Sequence, residues 1–152
     1  MKLSRKLFVI TTLVLLLASF ALSNANPQRK LTSLLANAHG KGTLTVGDEV
    51  YKVTNVVVKL DEDGTGEITL VTDLQLFVQC TWSAPVDLTH SIDLKITGGT
   101  NVGSAEGVGK LLLRPNGTDI ASLSMEASGN ARKKTIQLTF VRRLVGSKFD
   151  LS

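Results

Sequence analysis

Cysteine is all but missing from this chain: Cys80 stands alone among 152 residues. One thiol excludes an intramolecular disulfide framework, so burial must hold the fold. Aromatic residues make up 5% of the sequence, too few for the flat platforms on which sugar binders stack their ligands. The two histidines, His39 and His90, together with one thiol, fall short of a zinc site, which takes four ligands or three plus water. No apolar run reaches the ~20 residues of a spanning helix. The run from Leu7 to Leu22 is 16 residues long and is interrupted by Thr11, Thr12 and Ser19.

That run has another meaning. Lys2, Arg5 and Lys6 precede it, and Ser23 and Ala25 follow at the minus-three and minus-one positions of a cut before Asn26. A basic start, an apolar centre and small residues at the exit predict a signal peptide over residues 1–25. The expected product is secreted, periplasmic or otherwise extracytoplasmic. Retention of the leader as an anchor is the competing reading.

A charge excess is also lacking once the leader is set aside. Seventeen basic residues less those three leave 14 against 13 acidic ones. A nucleic-acid binder displaces counterions with a strong basic excess, so nucleic acid is not an expected partner. The charge is nevertheless uneven. Residues 26–106 hold six bases and ten acids, and residues 107–152 hold eight bases and three acids. The chain is dipolar along its length.

Residues 26–40, "NPQRKLTSLLANAHG", predict a short amphipathic helix. Asn26 serves as its cap, Pro27 falls in its first turn, Gly40 ends it, and Leu31, Leu34, Leu35 and Ala38 form a stripe. His39 would sit at its C-terminal end, where a cation favours the last carbonyls. From residue 41 to 152 the period falls to two, and one all-β domain is expected. In "LQLFVQCTWS", Leu74, Leu76, Val78, Cys80 and Trp82 share one face, as a half-buried strand requires. Seven further segments alternate in the same way: "GTLTV", "EVYKVTNVVVKL", "GEITLVT", "SIDLKIT", "GVGKLLLR", "DIASLSMEA" and "KKTIQLTFV". Eight antiparallel strands over this length predict a β-sandwich or a small closed β-barrel.

Turn chemistry agrees with that division. Gly47 and Asp48 separate two strands by two residues, a hairpin signal. Pro115, Asn116 and Gly117 are ordered for a type I turn closing on a left-handed glycine. Apolar parity switches between Val53 and Val56, which predicts a β-bulge near Asn55. A shift of 67 aligns residues 42–72 with 109–140 as a weak internal repeat, placing Val58 on Met125 and, after one extra residue, Ile68 on Ile136.

Little in the sequence is reactive. "DEDGTGE", Asp61 to Glu67, has the acids and glycines of a calcium loop. With Gly64 at the sixth position, however, Lys59 falls where the first carboxylate belongs and Leu70 where the bidentate glutamate does. It reads as a hairpin turn, and no metal is expected. "GSAEGVGKLL" fails as a phosphate loop because Leu111 follows Lys110 where serine or threonine is needed. His90, between Asp87 and Asp93, has no nucleophile placed beside it by spacing. Catalytic residues are therefore expected to be none, and cofactors none. Cys80, between Val78 and Trp82, reads as an inert core thiol.

Two features look outward. Arg132, Lys133 and Lys134 occupy the last hairpin, and Arg142 and Arg143 follow its final strand. Together these five form a candidate patch for anionic surfaces such as phospholipid headgroups. Asn116-Gly117-Thr118 is a glycosylation sequon that matters in a eukaryotic source. The functional expectation is an exported, non-enzymatic β-domain that binds a small ligand or an envelope or extracellular partner. A structural, adhesion or assembly role in the envelope is the alternative.

Overall fold

A computed structural model describes residues 30–87, 91–100, 103–129 and 134–143. The described chain contains ten strands: β1 (Lys30–Leu31), β2 (Leu34–Val46), β3 (Glu49–Leu60), β4 (Thr65–Val71), β5 (Gln75–Trp82), β6 (Val86–Asp87), β7 (Ile92–Gly99), β8 (Gly103–Leu113), β9 (Ile120–Gly129) and β10 (Thr135–Arg142). Eight of them close into an antiparallel barrel in the order β10-β2-β3-β4-β5-β7-β8-β9. The two-residue strands β1 and β6 pair only with each other. Of the two expected architectures the barrel is the one formed, and its eight strands fall on the eight segments that alternate in sequence.

The helix expected over residues 26–40 is overturned where it can be seen. Lys30–Leu31 and Leu34–Gly40 are strand, and residues 26–29, like the leader, lie outside the described residues. Along Leu34–Ala38 burial has period two: Leu34, Ala36 and Ala38 are buried while Leu35 is 76% exposed. The helical stripe had counted Leu35 as inward and passed over Ala36. Pairing decides the matter, because Leu34 to His39 run antiparallel to Leu60 to Asn55 of β3, and those long-range backbone bonds outweigh a weak local preference. His39 therefore lies exposed on a strand.

The strands are strongly staggered. Paired residues followed around the barrel run Leu34, Leu60, Gly66, Cys80, Ile96, Gly107, Ala127 and Ile136, and return to β2 at Val46, twelve positions beyond the start. A stagger of that size over eight strands tilts them by about 45°. Irregular pairings interrupt several of the ladders. Gly40 and Lys41 of β2 stand opposite Thr54 of β3, between the pairs His39–Asn55 and Gly42–Val53. The parity switch in "VTNVVV" marks this place, but the extra residue lies in β2 and not near Asn55 in β3. β9 shows the same switch, with Ile120 and Leu123 buried on either side of Ala121 and Ser122.

The two aligned segments share inward faces, since Val58, Met125, Ile68 and Ile136 are all buried. Their pairing differs. Val58 lies opposite Ile68, whereas Met125 lies opposite Leu138.

The core is the barrel interior. Phe140, Leu60, Ile68, Leu70, Ile92, Leu111 and Ile120 are almost completely buried, and among the described residues no polar or charged residue is buried with them. Serine, threonine, glutamine and lysine alternate with these on the outside. Apolar inside and polar outside is the reverse of a membrane-spanning barrel.

Candidate functional site

Three regions can hold a function: the interior, the two ends, and the outer wall. Towards the end that carries the β2–β3 turn, the space left among Leu44, Leu70, Leu76, Ile96, Met125 and Ile136 is about 30 Å³. That is room for about one water molecule, whereas drug-sized ligands occupy cavities of roughly 300 Å³ or more.

The opposite end carries the acidic turn, which is held internally. Lys59 Nζ donates to Asp61 Oδ2 over 2.9 Å. Asp63 Oδ1 accepts the Thr65 backbone N–H at 2.9 Å and the Thr65 hydroxyl at 2.6 Å. The Thr65 hydroxyl and then its N–H hold the Asp63 carboxyl below its usual range. Gly64 adopts a positive φ of 85°, which glycine tolerates without a Cβ penalty. Trp82 fastens the turn to the wall: its indole Nε1–H donates to Asp61 O at 2.9 Å, and its backbone N–H donates to Gly64 O at 2.9 Å. The geometry is that of a pinned turn. Among the described residues no three His, Cys, Asp or Glu side chains converge as a metal site would require.

Trp82→Phe removes the indole donor together with part of the buried ring volume. We expect a loss of at least about 1 kcal/mol in urea unfolding, with hydrogen exchange increased at Asp61 to Thr65. An unchanged midpoint would mean that the pin contributes nothing.

Of the five basic residues of the candidate patch, the three described ones are not contiguous. β10 spans roughly 27 Å at the usual rise per residue and separates Lys134, at its start, from Arg142 and Arg143 at its end. Arg142 turns back to the wall, with Nη1 3.1 Å from Asp119 Oδ2, and Arg143 N donates to His39 O at 3.0 Å. Lys134 lies beside the β2–β3 turn at Gly47. Arg132, Lys133 and His90 lie outside the described residues.

The sequon falls in a well-defined turn. Gly117 N donates to Arg114 O at 2.8 Å, and Gly117 has a φ of 74°, as the order Pro115-Asn116-Gly117 predicts. Asn116 Nδ2 donates to Asp119 Oδ2 at 2.9 Å, and a glycan on that nitrogen would leave it a single N–H. The same bond and the nearby Arg142 guanidinium hold the Asp119 carboxyl low.

The outer wall carries what the sequence did not reveal. Across β7 to β10, a depression of about 500 Å³ is lined by residues including Asp93, Val108, Lys110, Ser124, Glu126 and Thr139. Three cross-strand rows build it: Val108–Glu126–Gln137, Gly109–Met125–Leu138 and Lys110–Ser124–Thr139. Short hydroxyl side chains at Ser124 and Thr139 make a low floor, and longer side chains rise beside them. Lys110 Nζ stands 3.7 Å from Asp93 Oδ1 on one rim, and Val108, 68% exposed, occupies the other. The exposed lining of the depression is mainly apolar, with the Ser124 and Thr139 hydroxyls, the Asp93 and Glu126 carboxylates and the Lys110 ammonium set within it. It escapes sequence reading because its residues come from four strands, and each alone is an ordinary outward position.

Comparison with protein-family models, curated proteins and solved structures returned no match to this chain.

Proposed function

We propose that this chain is an exported, non-enzymatic barrel that binds an envelope or extracellular partner through its outer surface rather than a small ligand inside. One observation carries the reading. The described interior is lined by close-packed apolar side chains around a residual space of about 30 Å³, while the depression over β7 to β10 measures about 500 Å³. A drug-sized ligand does not fit the first without unpacking the core; the second is open, with the Lys110–Asp93 pair on one rim and Val108 on the other. Native mass spectrometry of the exported protein, combined with a photo-crosslinker at Ser124, tests this. The expected result is a chain free of stoichiometric small molecules and a defined extracytoplasmic product crosslinked from Ser124 and not from Thr54. A copurifying apolar ligand at one per chain would overturn it.

A second reading rests on the separation of the charged hairpins. The acidic β3–β4 turn lies at one end of the barrel, and Gly129 and Lys134, the described residues that flank the β9–β10 connection, lie at the other. We therefore expect weak, salt-sensitive sedimentation with anionic vesicles, at on the order of 1 kcal/mol per basic residue near the surface. Charge reversal at Arg132, Lys133 and Lys134 should abolish it, and reversal at Arg142 and Arg143 should leave it unchanged. No binding at low salt would remove this reading.

A further inference from the structure

The barrel's seam between β10 and β2 closes along only part of β2. β10 pairs with β2 from Ile136–Val46 to Arg142–Gly40, and one further bond, Arg143 N to His39 O at 3.0 Å, continues the register. Beyond it, Leu34 to Ala38 pair with β3 on one side, and no described residue pairs with them on the other. His39 uses its carbonyl toward β10, so by alternation Leu35 and Asn37 direct their N–H and C=O groups to the same open side. Leu35 is 76% exposed. An apolar-flanked edge of this kind is a template for any extended chain.

We propose that this edge is a strand-acceptor site and that its occupant is the chain's own C-terminal segment, beginning at Leu144. The argument rests on register and length. Arg143 already stands opposite His39, so the next residues in the same register put Val145 opposite Asn37 and Ser147 opposite Leu35. Nine residues follow Arg143, and five suffice to reach Leu34. Parity also fits. β10 turns Ile136, Leu138 and Phe140 inward, and the continued alternation sends Leu144 and Gly146 to the inner face. There they would neighbour Ala38 and Ala36, the small inward side chains of this part of β2. Val145 and Ser147 take the outer face. The donated segment completes the seam and shields the edge from strand addition in trans.

The experiment is residue-resolved amide exchange on the full mature chain. The amides of Leu35 and Asn37 are expected to exchange at least about 100-fold more slowly than unpaired amides. Ending the chain after Arg143 should abolish that protection, and a peptide covering residues 144–152, added in trans, should restore it. If the truncated chain does not fold, Val145→Pro serves instead, because it removes the donor that faces Asn37 O without shortening the chain. Fast exchange at Leu35 and Asn37 in the full chain would overturn the proposal, and so would protection that survives Val145→Pro. Protection that rises with protein concentration together with dimer formation would assign the edge to a second copy, and would overturn it as well.

Discussion

Phe140→Ala is expected to destabilise the barrel by about 3–5 kcal/mol, the range for removing a fully buried aromatic side chain from a core that cannot collapse around the gap. Phe140 is 1% exposed and sits directly opposite Gly42 of β2. Its ring lies over two glycines. A Cβ at Gly40 would come within 2.6 Å of Phe140 Cζ, and one at Gly42 within 3.0 Å of Phe140 Cδ2. The ring thus occupies the volume that two β2 side chains would otherwise fill. Alanine there would leave three consecutive inward positions nearly empty on facing strands. Adding a methyl at Gly42 cannot compensate, because the same Cβ would lie 2.6 Å from Thr139 O, and that backbone oxygen is fixed by the sheet. Urea unfolding measures the effect as a fall in midpoint with an unchanged slope. A cost below about 1 kcal/mol would mean that the interior relaxes around the gap and is not the rigid, filled core described above.

How much of this was legible beforehand depends on the range of the interaction that sets each feature. The strands were readable because one-sided burial writes itself as alternation, and "LQLFVQCTWS" carries that pattern from Gln75 to Trp82 with Phe77 as its one apolar outward residue; Leu74, expected on the same inner face, falls before β5 and is 60% exposed. The "PNG" turn and the place of the irregularity at Val53–Val56, though not the strand that holds its extra residue, were readable for the same local reason. Leu34 to Ala38 were misread because "LTSLLANA" satisfies both periods, and only pairing with β3 selects one. Closure itself, and the stagger of twelve, belong to register between strands distant in sequence, which no window of one strand contains. The groove over Ser124 and Thr139 was hidden for that reason too.

Cys80 provides the second large effect. The sequence places it between Val78 and Trp82, and the structure buries it to 3% exposure. Burial pushes its thiol from an ordinary value of 9.0 up to about 11, since the interior offers the thiolate neither water nor a positive partner. At pH 8 the thiolate population falls about 100-fold from this shift alone, and burial to 3% exposure leaves a reagent little access to the remainder. Native protein should therefore stay unlabelled by a thiol reagent over a period in which urea-unfolded protein reacts completely. The same shift has a consequence for stability. The folded chain holds the thiol proton more tightly than the unfolded one, so the contribution is fully present below pH 9 and is lost as pH rises towards 11. Two pH units correspond to about 2–3 kcal/mol at most. Tyr51 and Lys59 are also raised, the first chiefly by its bond to Glu49 and the second chiefly by its bond to Asp61. The informative quantity is accordingly the difference between wild type and Cys80→Ala. Wild type should lose stability more steeply between pH 9 and 11, although it starts from the higher value because alanine leaves a small gap beside Gly66. Parallel profiles, or rapid labelling of the native thiol, would place Cys80 outside the apolar core and reopen the wall between β4 and β7 as a reactive surface.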